Sequence, residues 1–218
     1  MKDLIILGTG GNCIDILDAV LALNESGGML QYRVRGFLDD NKEVWGQEVQ
    51  GCRVLGPLSH ARNYSDCLFA NGIGSFHNYW RKPDIIATTG LPDEAFVSIV
   101  HPRASVSRFA ALGRGTVVLQ NATINSGVRV GCHVIILPNA VLSHDTVVGD
   151  HTCIASSACL AGGVQIGKAC YLGAQCAVSN GVRIGDFSLA GIGAVVLQDV
   201  PPKTVVVGNP ARVTRQAF

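Results

Sequence analysis

The sequence predicts two joined units: a small parallel α/β unit over residues 1–99, then a coiled β-solenoid over residues 100–218. Two patterns carry this reading. A single aliphatic residue recurs every six positions through the second half, and short apolar runs alternate with a helical pattern in the first. Composition agrees: 48% of the residues are hydrophobic and only 15% are charged. That is enough apolar surface for a core and too little charge for a disordered chain.

The six-residue period begins at Val100. Stepping by six gives Val106, Leu112, Val118, Ile124, Val130, Ile136, Leu142, Val148, Ile154, Leu160, Ile166, Leu172, Val178, Ile184, Ala190 and Val196, all aliphatic and all in phase. Four residues after each stands a small or β-branched residue, for example Ala104, Thr116, Ala122, Val134 and Ala158. A period of six fits neither an amphipathic helix nor strand alternation. It fits a triangular coil, with three short strands and three corners per eighteen residues. One aliphatic side chain per side points inward, and Gly or other small residues let the chain turn. The hexads from Leu112 predict about five coils stacked into a prism roughly 25 Å tall. The two hexads from Val100 are expected to form an irregular opening coil.

Residues 1–99 lack the hexad. Leu4-Ile5-Ile6-Leu7 reads as a buried strand ending in Gly8-Thr9-Gly10-Gly11-Asn12. Ile14, Ile16, Leu17, Val20, Leu21 and Leu23 then read as a helix that closes near Gly27-Gly28. Val34–Leu38 is a second strand running into Asp39-Asp40, and Leu68-Phe69-Ala70 a third running into Asn71-Gly72-Ile73-Gly74-Ser75. A helix through Tyr79, Trp80 and Ile86 follows. Strands alternating with helices predict a small Rossmann-like parallel sheet.

The first glycine loop keeps Gly8-x-Gly10 but places Cys13 where a dinucleotide fingerprint has its third glycine. It reads either as an ordinary tight turn or as a site where backbone amides meet a phosphate or a sugar hydroxyl. The acidic pair after the second strand favours binding, since carboxylates there accept hydrogen bonds from a ribose or a base. A solvated turn is the competing reading of Asp39 and Asp40.

Composition also narrows the partners. A net charge of +1 sets up no global field for nucleic acid or an anionic membrane. No apolar run reaches membrane-spanning length, and the N-terminus lacks the pattern of a secretory signal. The eight cysteines contain no Cys-x-x-Cys pair. A cytoplasmic protein with reduced thiols is expected. Cys153 and Cys159, like Cys170 and Cys176, stand six apart in the repeat phase, so packing explains them better than catalysis.

The chemistry points to Ser143-His144-Asp145. His144 is the third residue of its hexad, beside a corner, so its imidazole can project from the prism. A neutral imidazole can take the proton of an attacking amine or hydroxyl. Asp145 can orient the ring and stabilise the imidazolium. From spacing alone, a surface histidine or a subunit-contact histidine is the more common reading.

Five features occur in order: Gly8 to Asn12, Phe37-Leu38-Asp39-Asp40, Ile73-Gly74, the hexads with His144-Asp145, and Gly208-Asn209-Pro210-Ala211-Arg212. Together they resemble the hexapeptide-repeat sugar acetyltransferases. That family contains the bacillosamine- and perosamine-pathway N-acetyltransferases of nucleotide-linked amino sugars and the sialic-acid O-acetyltransferases. The hexads and the Gly-Asn-Pro-Ala tail mark only the superfamily, and the glycine loop, Leu-Asp-Asp and His-Asp are more specific.

The resemblance implies a left-handed parallel β-helix, an exception to the usual crossover hand, assembled as a homotrimer with active sites between subunits. It implies an acetyl-CoA-dependent N-acetyltransferase acting on a nucleotide-linked amino sugar, a 4-amino-4,6-dideoxy sugar for surface glycans, and no metal. His144 would be the general base and Asp145 its assistant. Gly10, Gly11, Asn12, Asp39, Asp40 and Gly74 would hold the nucleotide-sugar. Acetyl-CoA would pass Gly162, Gly173, Ala174, Gly191 and Ile192, with Arg212 on a coenzyme phosphate. The family often has a histidine where this chain has Asn12, and an Asn-Thr before its catalytic histidine where this chain reads Leu137-Pro138-Asn139.

Three alternatives stand beside this one. O-acetylation of a sialic acid or another sugar hydroxyl would use the same base. A zinc enzyme of carbonic-anhydrase type would draw on His133, His144 and His151, of which His133 and His151 share a phase one coil apart. A non-catalytic β-helix scaffold would explain the repeat but not the N-terminal loops.

Overall fold

The computed structural model describes residues 1–27 and 31–218. Strand β1 (Lys2–Leu7) leads through the glycine loop into helix α1 (Gly11–Ser26) and then strand β2 (Tyr32–Leu38). Gly27 caps α1, its amide bonding to Leu23 O; Gly28, the other half of the expected helix stop, lies outside the described residues. A small antiparallel pair, β3 (Glu48–Val49) and β4 (Cys52–Arg53), precedes β5 (Leu68–Asn71). The sheet order is β2-β1-β5, parallel throughout. This is the predicted small parallel sheet.

The helix expected through Tyr79 and Ile86 is split. A 3₁₀ turn at Tyr79–Arg81 precedes a short α2 (Lys82–Ala87). Pro83 is the reason: a residue without an amide hydrogen fits the first turn of a helix and not its interior.

The solenoid consists of seventeen two-residue strands, β6 (Ile99–Val100), β7 (Ser105–Val106), β8 (Ala111–Leu112) and so on in steps of six to β22 (Val195–Val196). In each, the hexad aliphatic is the second residue and faces the core. Every strand pairs in parallel with the one eighteen residues away, as in Ile135↔Cys153 and Val141↔Cys159. Three sheets result. The first runs β6-β9-β12-β15-β18-β21, the second β7-β10-β13-β16-β19-β22 and the third β8-β11-β14-β17-β20. Strands β23 (Thr204–Val207) and β24 (Arg212–Gln216) extend the first. The architecture is a left-handed parallel β-helix of about six turns.

The opening coil is regular, not irregular as expected. Ile99↔Val117, Ser105↔Thr123 and Ala111↔Arg129 pair in full register, which adds a turn to the five predicted. Val100, Val106 and Leu112 are only partly buried because no rung lies above them.

The three outer faces differ. Val117, Ile135 and Cys153 on the first sheet are buried with Leu4, Ile6, Cys13 and Ile16, so the N-terminal unit covers this face. The second sheet turns out Thr123, Val141, Cys159, Ala177 and Val195, and the third Arg129, Val147, Gln165 and Arg183. Packing in the core therefore holds for Cys170 and Cys176 but not for Cys159, which is exposed. As the first residue of its strand it points away from the prism, as Cys153 does. Cys153 is buried only because the N-terminal unit lies over it.

Candidate active site

The glycine loop, the end of β2 and the turn after β5 form one cleft, lined by residues 8–13, Asp39, residues 72–75 and Asn78. Gly10, Gly11, Asn12, Asp39 and Gly74 are thus brought together. Asp40 is not among them; its Oδ1 accepts the Leu58 amide at 2.9 Å. Asp39 organises the loops: its Oδ2 accepts from the Thr9 amide at 2.8 Å and the Thr9 hydroxyl at 2.7 Å, and its Oδ1 from the Asn41 amide at 2.8 Å. Asn12 ties the two glycine loops together through Nδ2 to Gly74 O, 3.0 Å.

The fingerprint's missing third glycine is compensated elsewhere. The Cys13 thiol fills the space that side chains at Gly8 (φ +97°) and Gly72 would need. Glycine at those two positions lets a larger residue start α1 against the sheet. Burial pushes this thiol up to about 12, and it pushes Cys153, Cys170 and Cys176 up to about 11, 12 and 12. None of the four is a thiolate near neutrality, so none is a nucleophile.

The second cluster stands where β13 (Val141–Leu142) turns into β14 (Val147–Val148), at the corner between the second and third sheets. His144 and Asp145 are exposed, with His144 Nδ1 at 2.9 Å from Asp145 Oδ2. Asp145 has φ +61°, and the matching corners one coil before it and one and two coils after it are the glycines Gly127, Gly163 and Gly181. A left-handed backbone is costly for a residue with a side chain, although Asp tolerates it better than most. His144 lies against Gly162, one coil on, where a Cβ would stand 2.5 Å from Nε2. With Nδ1–H directed at the carboxylate, Nε2 keeps its lone pair for an incoming proton.

The remaining expected coenzyme contacts lie elsewhere. Gly173, Ala174, Gly191 and Ile192 occupy the corner between the first and second sheets, at the other edge of the second sheet from His144. Close rung stacking accounts for two of them: a Cβ on Gly173 would meet Gly191 C at 2.7 Å, and one on Gly191 the Val207 Cγ1 at 2.7 Å. Ile192 is 79% exposed. Arg212 is exposed on β24, its Nη1 bonded to Ala211 O. Asn139 takes a left-handed corner, φ +61°, between the first two sheets.

The three histidines of the zinc alternative do not converge. His133 and His151 stack at 5.1 Å between ring centroids and 4° between planes, at the corner between the third and first sheets. His144 is at a different corner. Among the described residues, the one cluster with metal-ligating spacing is Asp3, Asp66 and Cys67, and Asp3 is already engaged by Arg33 and Arg35 at 2.7 Å each.

The chain is similar to several known proteins. The family described as bacterial transferase hexapeptide (six repeats) matches residues 127–162. The UDP-N-acetylbacillosamine N-acetyltransferase of Bacillus subtilis (strain 168) is 30% identical over 121 residues, 55% of this chain and 52% of that protein. The match thus spans about half the length of this curated relative. The acetyltransferase domain of PglB from Neisseria gonorrhoeae FA1090, in complex with acetyl coenzyme A, has a TM-score of 0.83 at 26% identity, with 98% of this chain and 99% of that chain covered. PerB from Caulobacter crescentus, in complex with CoA and GDP-perosamine, has a TM-score of 0.83 at 27% identity, with 99% and 98% covered.

Proposed function

We propose that this chain, whose residues 127–162 match the hexapeptide-repeat transferase family, transfers the acetyl group of acetyl-CoA to the amine of a nucleotide-linked amino sugar. The observation that carries the reading is the exposed His144–Asp145 pair at a solenoid corner, joined in one chain to a glycine-loop cleft. One relative is a UDP-N-acetylbacillosamine N-acetyltransferase and PerB binds GDP-perosamine, which favours a 4-amino-4,6-dideoxy sugar as acceptor.

The sugar amine attacks the thioester carbonyl carbon. The new C–N bond forms, the C–S bond breaks, and coenzyme A leaves as its thiolate. His144 Nε2 takes the amine proton and passes it on to the thiolate or to water. Asp145 stabilises the imidazolium. A backbone amide at a rung corner holds the oxyanion. Gly162, Gly173, Ala174, Gly191, Ile192 and Arg212 serve coenzyme A; Gly10, Gly11, Asn12, Asp39 and Gly74 serve the nucleotide-sugar, with Asp40 fixing the loop.

One chain does not complete this site. The N-terminal unit covers the first sheet, while His144 sits at the corner opposite that sheet. A homotrimer solves the geometry, because a neighbour's cleft and its Ala174–Ile192 corner can meet this chain's His144. The small, partly apolar second-sheet face suits such a contact. Thioester consumption with a panel of nucleotide-linked 4-amino sugars tests the reaction: turnover with at least one is expected, and none with any amine acceptor refutes it. A hydroxyl acceptor is the second reading, since the same base serves both, and sialic acid in the panel separates them.

A further inference from the structure

Lys82 opens the short helix α2, and its side chain is fully buried. Its Nζ donates a 2.6 Å hydrogen bond to the carbonyl oxygen of His133 on the solenoid. Among the described residues no carboxylate forms an ion pair with it. The groups around it are the Cys153 thiol and the His133–His151 stack, with Asp93 and Asp150 acting on the two imidazoles. Burial keeps these neighbours uncharged near neutrality: it pushes Cys153 up to about 11, His133 down to about 4 and His151 down. The same burial brings Lys82 down to about 8, so it is still mainly protonated at neutral pH.

The position of this charge is specific. Nζ stands 3.5 Å from where a Cβ on Gly74 would be, and Gly74 lines the cleft. Gly74 is held from both sides, its carbonyl accepting from Asn12 Nδ2 and, at 3.9 Å, from Cys153 Sγ. The cation therefore lies directly behind the cleft wall. The start of α1 forms another part of that wall and carries no acidic residue in its first turn. Packing does not explain a lysine here. A methionine would fill much the same space without the large solvation cost of burying an unpaired ammonium.

We propose that Lys82 is a positioning residue: it keeps a fixed positive charge behind the glycine-loop cleft and so draws the diphosphate of the nucleotide-linked sugar into it. This rests on the nucleotide-sugar reading above and adds the group that selects an anionic substrate. A bound diphosphate holds the proton on Lys82, so binding takes up protons at a pH near the amine's own titration.

The test uses UDP, GDP and TDP as probes with the whole protein. Calorimetry at about pH 8, in two buffers of different ionisation enthalpy, is expected to show proton uptake when a diphosphate binds. The wild-type affinity is expected to fall about tenfold between about pH 7 and about pH 9.5. Lys82→Met is expected to bind about tenfold more weakly at neutral pH, to lose that pH response and to keep its affinity for coenzyme A. In turnover it raises the sugar KM and leaves kcat nearly unchanged. Diphosphate binding without proton uptake, or a Lys82→Met protein that binds like wild type, overturns the role of Lys82 and leaves acetyl transfer standing. If no probe binds the wild type, the nucleotide-sugar reading fails and takes this one with it. Should Lys82→Met not fold, proton uptake by the wild type decides.

Discussion

His144 Nδ1 lies 2.9 Å from Asp145 Oδ2, and Asp145 reaches that position by taking a left-handed corner, φ +61°, that three other coils give to glycine. The backbone cost of that choice is on the order of 1 kcal/mol. Residues with side chains take the same left-handed conformation at other corners, Asn139, His151 and Phe187 among them, so it is the hydrogen bond to His144 that marks Asp145. His144→Ala is expected to lose at least ~100-fold in turnover while still binding coenzyme A. An unchanged rate removes the imidazole from the mechanism.

Asp145→Gly separates stability from activity at the same corner. It restores the glycine of neighbouring coils, so chemical denaturation should show stability unchanged or raised by up to about 1 kcal/mol. Turnover should fall by roughly 10-fold or more, because the imidazole loses its orienting carboxylate. A fall in both quantities would assign Asp145 to folding.

Gly162→Ala places a methyl 2.5 Å from His144 Nε2. The imidazole is exposed and can swing away, so the fold should hold within about 0.5 kcal/mol. Turnover should drop about tenfold or more, since the displaced base no longer points at the amine. Steady-state kinetics beside a melting curve distinguishes this from general damage.

Asp39→Ala removes the acceptor shared by Thr9 and Asn41. The two loops of the cleft lose their common anchor. The sugar KM is expected to rise more than kcat falls. A pure loss of kcat would contradict a binding role.

Acid stability should report the buried imidazoles. His133 is brought down to about 4 by burial first, with His151 and Lys82 adding repulsion. Between roughly pH 6.5 and 4 the unfolded chain binds the extra proton, so stability falls as pH drops through that window. The expected loss is on the order of 2 kcal/mol. His133→Phe, keeping a ring against Phe96, should flatten the curve; an equally steep curve would place the titration elsewhere.

The strands of the solenoid were legible because each hexad declares itself locally. Val118, Ile136 and Ile154 occupy one phase and stack in one core. The opening coil keeps the same phase at Val100 and Val106 and lacks only a rung above, so its regularity follows from pairing with the next coil. The apolar spacing over 79–86 does not show where the helix starts, because Pro83 sets that point. Asp40 and Asp39 look alike in sequence, yet one reaches the cleft and the other holds Leu58. No period encodes that distinction.

By itself, the sequence determined the solenoid, its three-sided phase and the outward placement of His144, because these depend on a repeat whose partners are always eighteen residues apart. Only the tertiary structure decided that Asn12 meets Gly74 across 62 residues, that Lys82 meets His133 across 51, and that the N-terminal unit covers the first sheet and leaves the His144 corner open. Those contacts join segments of unrelated pattern. They are settled by which surfaces bury each other best, a property of the whole packed chain and not of any window along it.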